Sequence, residues 1–139
     1  KLLGEKVTSW AGDHIKKTKC GTIRFGNVRE SRGNVFEIWN EEKNNKKPLS
    51  ITNPLMKRYF INANDVVDFI LNSLTIIKIG EILIPKMKSF SIKTLANEIS
   101  KSQKIIGLRQ GEKLEEKLLT DDEKNRAIEK KDMWIIKPY

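Results

Sequence analysis

Residues 80–97 read GEILIPKMKSFSIKTLAN, and their punctuation decides the fold class. Ile82, Leu83 and Ile84 form a short unbroken apolar run, which suits a buried strand. Pro85 stops it, because proline brings no N–H to a ladder. Ser91 then stands where a helix N-cap belongs, its hydroxyl able to accept a free N–H of the first turn. Ile92, Leu95 and Ile99 follow at spacings of three and four, the stripe of an amphipathic helix. A strand passing directly into a helix is the unit of an α/β chain.

The alternation continues outward. NANDVVDFILNSL (62–74) reads as a helix capped by Asn62 or Asn64, and GNVFEIWNEE (33–42) as a short helix with Val35, Ile38 and Trp39 on one face. KLLGEKVTSWAGD (1–13) puts Leu2, Leu3, Val7, Trp10 and Ala11 on one helical stripe. TIRF (22–25), LSIT (49–52), KIIG (104–107) and DMWIIKPY (132–139) read as short strands between turn formers. The segment IIGLRQGEKLEEKLL (105–119) opens on an apolar run, passes through Arg109 between two glycines and is expected to end in an amphipathic helix. There is no internal repeat and no linker, so one domain is expected across residues 1–139.

Composition bounds the function. At 38% hydrophobic and 32% charged the chain is globular in character, and no apolar stretch approaches a membrane span. Its single cysteine, Cys20, excludes an internal disulfide framework and fits a reducing, cytoplasmic setting. The net charge of +9 raises the question of nucleic acid. However, the 21 lysines are scattered and accompanied by acidic residues, and no aromatic residues interleave with the basic ones at the spacing of a known nucleic-acid module, so no nucleic-acid partner is expected. No GxGxxG follows a strand, no P-loop is present, and a lone His14 with no paired Cys or His gives no metal site.

The six arginines are more informative, because a planar five-donor fork matches carboxylate and phosphate where lysine does not. IRFGNVRESRGNV (23–35), ITNPLMKRYFI (51–61) and GLRQGEKLEEKLL (107–119) each pair arginine with a turn. In the first, Asn27 offers donor and acceptor, and Arg32 and Gly33 lead into a helix whose N–H groups suit an anion; a plain strand–loop–helix connection is the equal alternative. In the second, Arg58 precedes Tyr59 and Phe60, whose bulk would hold it in place, the alternative being an ordinary surface arginine. In the third, Arg109 and Glu112 flank Gly111, suiting a cation for phosphate and a carboxylate for sugar hydroxyls, or else a local salt bridge.

The ordered set resembles the extended short-chain dehydrogenase/reductases that modify nucleotide sugars, in particular the polysaccharide-biosynthesis group. That group contains the inverting UDP-N-acetylglucosamine 4,6-dehydratases and related epimerases. Its patterns RYGNVxGSRGSV, ITDPxMTRFF and GLRPGEKLxEEL stand here as RFGNVRESRGNV (24–35), ITNPLMKRYF (51–60) and GLRQGEKLEEKLL (107–119). GEILIPKMKSFSIKTLAN and LLTDDEKNRAIEKKDMWIIKP (118–138) also resemble the group, so the likeness covers essentially the whole chain. It implies the substrate-binding portion of such an enzyme, with the last strands and helices of a Rossmann-type sheet.

KLLGEK (1–6) is similar to the group's SKLLAEK, whose lysine closes a YxxxK catalytic pair. On this likeness Lys1 is both the catalytic lysine and the one that holds the nicotinamide ribose of NAD or NADP, lowering its tyrosine partner's pKa by charge. The tyrosine and the dinucleotide-binding half are expected upstream of this sequence. The resemblance further implies that Asn27 and Arg58 meet the diphosphate region, that Arg109 and Glu112 hold diphosphate and uridine ribose, and that Arg32 assists through side chain or backbone. For the intact enzyme, a homo-oligomer, it implies oxidation at C4 of a UDP-sugar, followed by elimination in a dehydratase or hydride return in a C4 epimerase. This chain alone would be inactive, and a non-catalytic binding module is the remaining alternative. Three departures stand out: Glu30 replaces a glycine, Lys57 a threonine and Gln110 a proline.

Overall fold

The computed structural model describes residues 2–15 and 17–138. In chain order the elements are α1 (Leu2–His14), β1 (Thr22–Ile23), β2 (Asn27–Val28), α2 (Val35–Asn44), β3 (Leu49–Ile51), β4 (Lys57–Ile61) and α3 (Ala63–Ile76). There follow β5 (Ile82–Pro85), β6 (Ser89–Ser91), α4 (Ile92–Ile99), β7 (Gln103–Ile105), α5 (Asp121–Lys124), β8 (Ala127–Glu129) and β9 (Met133–Ile136). They divide into two compact units, one of residues Lys1–Phe25, Asn64–Lys86 and Lys117–Tyr139, the other of Gly26–Ala63 and Met87–Glu116.

The first unit is built on a four-stranded mixed sheet in the order β1-β5-β9-β8. β1 runs parallel to β5, while β9 lies antiparallel to both β5 and β8. The apolar run that announced β5 is buried, with Leu83 and Ile84 inaccessible to solvent or nearly so, and Pro85 closes it as expected. Ile136 of β9 packs beside them, fully buried. α1 forms as its periodicity predicts, yet Leu3, Val7 and Trp10 on its stripe are exposed.

Arg24, just after β1, organises the polar side of this unit. Its Nε and Nη2 donate to Glu5 at 2.9 and 2.7 Å, its Nη1 and Nη2 to Glu123 at 2.8 Å each, and its Nη1 to the Leu118 carbonyl at 2.8 Å. All five N–H donors of the guanidinium are therefore used, which is what allows so large a charge to be mostly withdrawn from water. The Arg24 hydrogen bonds, ahead of the main-chain contact with Thr120, hold the Glu123 carboxyl at about 2, well below its ordinary 4.5.

The second unit has two small sheets, β2-β4-β6 and β3-β7. β2 is parallel to β4 and β6 antiparallel to it; β3 and β7 are parallel. α2 and α4 close a core of Trp39, Leu49, Ile51, Met56, Phe60, Ile92, Leu95 and Ala96. The expected Ser91 cap is present, with its hydroxyl accepting the Thr94 N–H. Gly26 is required by close approach: a Cβ there would stand 2.6 Å from the Tyr59 carbonyl oxygen.

One expectation fails. Residues 112–119 form no helix. The Leu114 carbonyl instead accepts the Lys57 N–H at 2.9 Å, and Glu115 bridges to Lys57 as a fragment of parallel ladder. An extended alternative with tertiary partners outweighs the local helical preference of KLEEKLL.

Candidate functional site: an arginine-lined cleft

The second unit carries a cleft of about 510 Å³, a volume ordinary for a small-molecule site. Its floor is core: Trp39, Met56, Phe60 and Ile92. Around this floor stand Asn27 at the start of β2, Arg32 in the following loop, Arg58 on β4, and Arg109 and Glu112 from the loop after β7. Every site residue that the sequence assigned to the substrate thus reaches one cleft. Lys1, the remaining assigned residue, lies outside the described residues.

The charge of this lining is selective. Among the described residues, three of the chain's six arginines line the cleft, against a single carboxylate, Glu112, and none of its 21 lysines does so. The general charge of +9 is therefore a property of the lysine surface, whereas the cleft holds guanidinium groups in particular.

The three arginines differ in state. Arg32 and Arg109 are exposed, while Arg58 is buried with 7% of its surface accessible. Arg58 donates through Nη1 to the carbonyls of Lys57 at 2.8 Å and Leu114 at 3.1 Å, and through Nη2 to that of Lys113 at 2.7 Å. Its Nε stands 3.7 Å from Glu116 Oε1. Three of the five N–H donors of this guanidinium thus meet main-chain carbonyls.

Arg109 and Glu112 form a turn, not the local salt bridge weighed as the alternative. Glu112 Oε2 accepts the Arg109 N–H at 3.0 Å, and the Glu112 N–H returns to the Arg109 carbonyl at 3.0 Å. Gly111 holds φ +81° at the third position, as a type II turn requires, which also explains why the group's proline before this glycine is replaceable by Gln110.

The loop between β2 and α2 is fastened by side chains that sequence reasoning had not singled out. Asn34 caps α2 by accepting the Glu37 N–H at 3.0 Å, and its Nδ2 donates to the carbonyls of Arg29 at 2.5 Å and Ser31 at 2.6 Å. Glu37 in turn accepts the Gly33 N–H at 2.6 Å. The spacing of Asn34 and Glu37 is a capping-box signal visible in the sequence. The Gly33 and Glu37 N–H groups are therefore occupied within the loop. Glu30, the most conspicuous departure, accepts the Ala63 N–H at 2.8 Å and so ties the loop to the first residue of α3. Arg29 beside it lies over the rings of Phe90 and Phe36, 5.3 and 5.6 Å from their centroids. Trp39, Ser50, Thr52 and Ile106 also line the cleft and had not been assigned to it from the sequence.

Among the described residues no group of three His, Cys, Asp or Glu side chains is placed to hold a metal ion, and no helix is long and apolar enough to cross a membrane.

This chain belongs to the polysaccharide biosynthesis protein family, whose model matches residues 1–138. It is 34% identical to a Methanocaldococcus jannaschii protein described as an uncharacterized membrane protein, matching 100% of this chain and 46% of that one. It is 37% identical to an inverting UDP-N-acetylglucosamine 4,6-dehydratase of Campylobacter jejuni over 88% of this chain and 38% of the enzyme. A UDP-glucose 4-epimerase of Rickettsia rickettsii is 33% identical over 86% of this chain and 37% of that one. In three dimensions the chain superposes on Pen from Bacillus thuringiensis with a TM-score of 0.91 at 31% identity, covering 98% of this chain and 46% of that one. The chain thus spans less than half the length of these relatives. The fold is the α/β portion that the sequence implied.

Proposed function

We propose that the cleft binds the nucleoside diphosphate end of a UDP-sugar, and that this chain supplies the UDP-sugar-binding part of a UDP-N-acetylglucosamine 4,6-dehydratase-like enzyme in glycan biosynthesis. The observation that carries the reading is the lining: three arginines and one turn-held glutamate over an apolar floor, with no lysine among the described residues. Arg32 and Arg109 are exposed and able to make charge-assisted hydrogen bonds to phosphate oxygens. Glu112 holds the Arg109 N–H through Oε2, leaving Oε1 to accept a ribose hydroxyl. Asn27 adds a neutral donor and acceptor beside the phosphates. The apolar floor gives the base a surface from which water is displaced.

NAD or NADP, which the family resemblance implies, would supply hydride transfer at C4 of the sugar. The one residue assigned to it, Lys1, is not among those described, so the residues of the cleft speak only for the substrate's nucleotide end. Dehydratase and epimerase share that end, and the epimerase relative favours a second reading as a C4 epimerase. Titration of the chain with UDP and UDP-N-acetylglucosamine tests the common part: saturable binding of both supports it. Analysis of sugar products from the complete protein then separates the two chemistries.

A further inference from the structure

The loop between β2 and α2, residues 29–34, brings Arg32 to the cleft, and Glu30 stands in it where the group's pattern has glycine. Both ends of the loop are held. The Arg29 N–H meets the Ile61 carbonyl at 3.0 Å, prolonging the β2–β4 ladder, and Asn34 caps α2. Inside it the bonds are local: the Ser31 N–H and hydroxyl donate to the Val28 carbonyl at 3.3 and 2.9 Å, and the Gly33 N–H reaches Glu37. Among the described residues, the side chains of 30–33 make one hydrogen bond to a distant part of the chain. It is the 2.8 Å bond in which Glu30 accepts the N–H of Ala63, 33 positions away and just beyond β4. Neither Glu30 nor Ala63 lines the cleft, and Arg29 leaves the carboxylate alone, its guanidinium lying over Phe36 and Phe90.

We infer that Glu30 is a positioning residue: by accepting the Ala63 N–H it tethers the middle of the loop, so that Arg32 is presented to the cleft. The inference rests on the nucleotide reading of the cleft. A carboxylate two residues from an anion-binding arginine opposes phosphate by its charge. Bonded to a backbone N–H, the same carboxylate has a partner outside the cleft and makes one of the stronger kinds of hydrogen bond. This bond acts where the loop is otherwise closed only on itself, so losing it frees residues 30–33 while both ends stay fixed. Charge and tether therefore predict opposite signs. Removing a merely nearby negative charge would tighten UDP binding, whereas removing a tether weakens it.

The test compares Glu30→Ala and Glu30→Gln, each alone and combined with Arg32→Ala, by calorimetric titration with UDP. Both substitutions remove the same charge, but glutamine keeps an oxygen that can accept the Ala63 N–H. Glu30→Ala should weaken UDP about fivefold, the size of one hydrogen bond, while Glu30→Gln stays within about twofold of the parent. The loss in Glu30→Ala should vanish once Arg32 is alanine, because the tether acts through that side chain. Equal affinities in the two Glu30 variants would overturn the inference, as would a loss that persists unchanged in the Arg32→Ala background. Arg32→Ala binding UDP like the parent would overturn it too, since nothing would be left for the tether to present. Amide exchange in residues 29–34, with peptides of α4 as the control for folding, should rise in Glu30→Ala and not in Glu30→Gln. A parent chain without UDP affinity would overturn the nucleotide reading instead. The exchange comparison would then decide the tether alone, and equal exchange in the two variants would contradict it.

Discussion

Glu112 and Arg109 hold each other through main-chain groups: the Glu112 carboxylate accepts the Arg109 N–H at 3.0 Å, and the Glu112 N–H meets the Arg109 carbonyl at 3.0 Å. The turn leaves the Arg109 side chain exposed while fixing the backbone from which it extends. Gly111 makes this possible at φ +81°, and a Cβ there would meet nothing within 4 Å. Gly111→Ala therefore isolates backbone strain. It should destabilise the turn by about 1–2 kcal/mol and weaken UDP binding, without steric conflict. Gln110→Pro acts in the other direction, stiffening the second position of the type II turn, which favours proline, by about 0.4–1 kcal/mol. Calorimetry with UDP on both variants checks the pair; equal affinities would show that turn geometry does not govern binding.

Removing the cation itself is a separate change. Arg109→Ala should weaken UDP binding by about 1.5–3 kcal/mol, the size of a hydrogen bond to a charged group. Uridine, which lacks the diphosphate, should be nearly indifferent to the same substitution. An unchanged UDP affinity would remove Arg109 from the site.

Gly26 tests the junction between β2 and β4. A Cβ would lie 2.6 Å from the Tyr59 oxygen, 2.7 Å from its Cβ and 3.0 Å from its carbonyl carbon, and backbone atoms cannot yield as a side-chain tip would. Gly26→Ala should cost about 1–3 kcal/mol, typical of overpacking, and displace Asn27 from the cleft. Urea unfolding gives the first effect and UDP titration the second. A variant as stable as the parent would show that the two strands do not approach so closely.

How far these features could be read in advance depended on their length and on where their partners lie. α4 was legible because cap and apolar spacing agree within a single window, Ser91 with Ile92, Leu95 and Ile99, and α2 was legible from the spacing of Val35, Ile38 and Trp39. β5 was legible as an unbroken apolar run ended by proline. β2, β6 and β8 have two or three residues each, too few for a period-two pattern to emerge. The helix expected beyond Gly111 was a sound local reading that distant partners overrode, since Lys57 and Arg58 take the carbonyls a helix would need. The cleft's charged residues were found through arginine usage and motif order, whereas Ser50 lies outside the motifs and only the tertiary structure brings it to the cleft.

The Arg24–Glu123 pair makes a pH prediction. Glu123 titrates at about 2 in the folded chain and near its ordinary 4.5 when unfolded. A lowered folded value means that its contribution is complete above about 4.5 and is lost as the pH falls towards 2. Arg24 is held still further above its already high range and stays charged throughout. Glu123→Gln keeps a capping-box side chain facing Thr120 and removes the charge. The unfolding midpoint of this variant should fall below the parent's at pH 6 and converge with it towards pH 2. Parallel curves across that window would show that the pair contributes nothing through ionisation.

Whether the cleft is a nucleotide site is decided by calorimetric titration of this chain with UDP and UDP-N-acetylglucosamine, with random-sequence duplex DNA as the control for its positive charge. Saturable binding of both uridine ligands is expected, weakened in Arg109→Ala, with no comparable binding of DNA at physiological salt. DNA binding with a steep salt dependence and no response to UDP would contradict the nucleotide site, and would return the arginines of the cleft to the general basic surface.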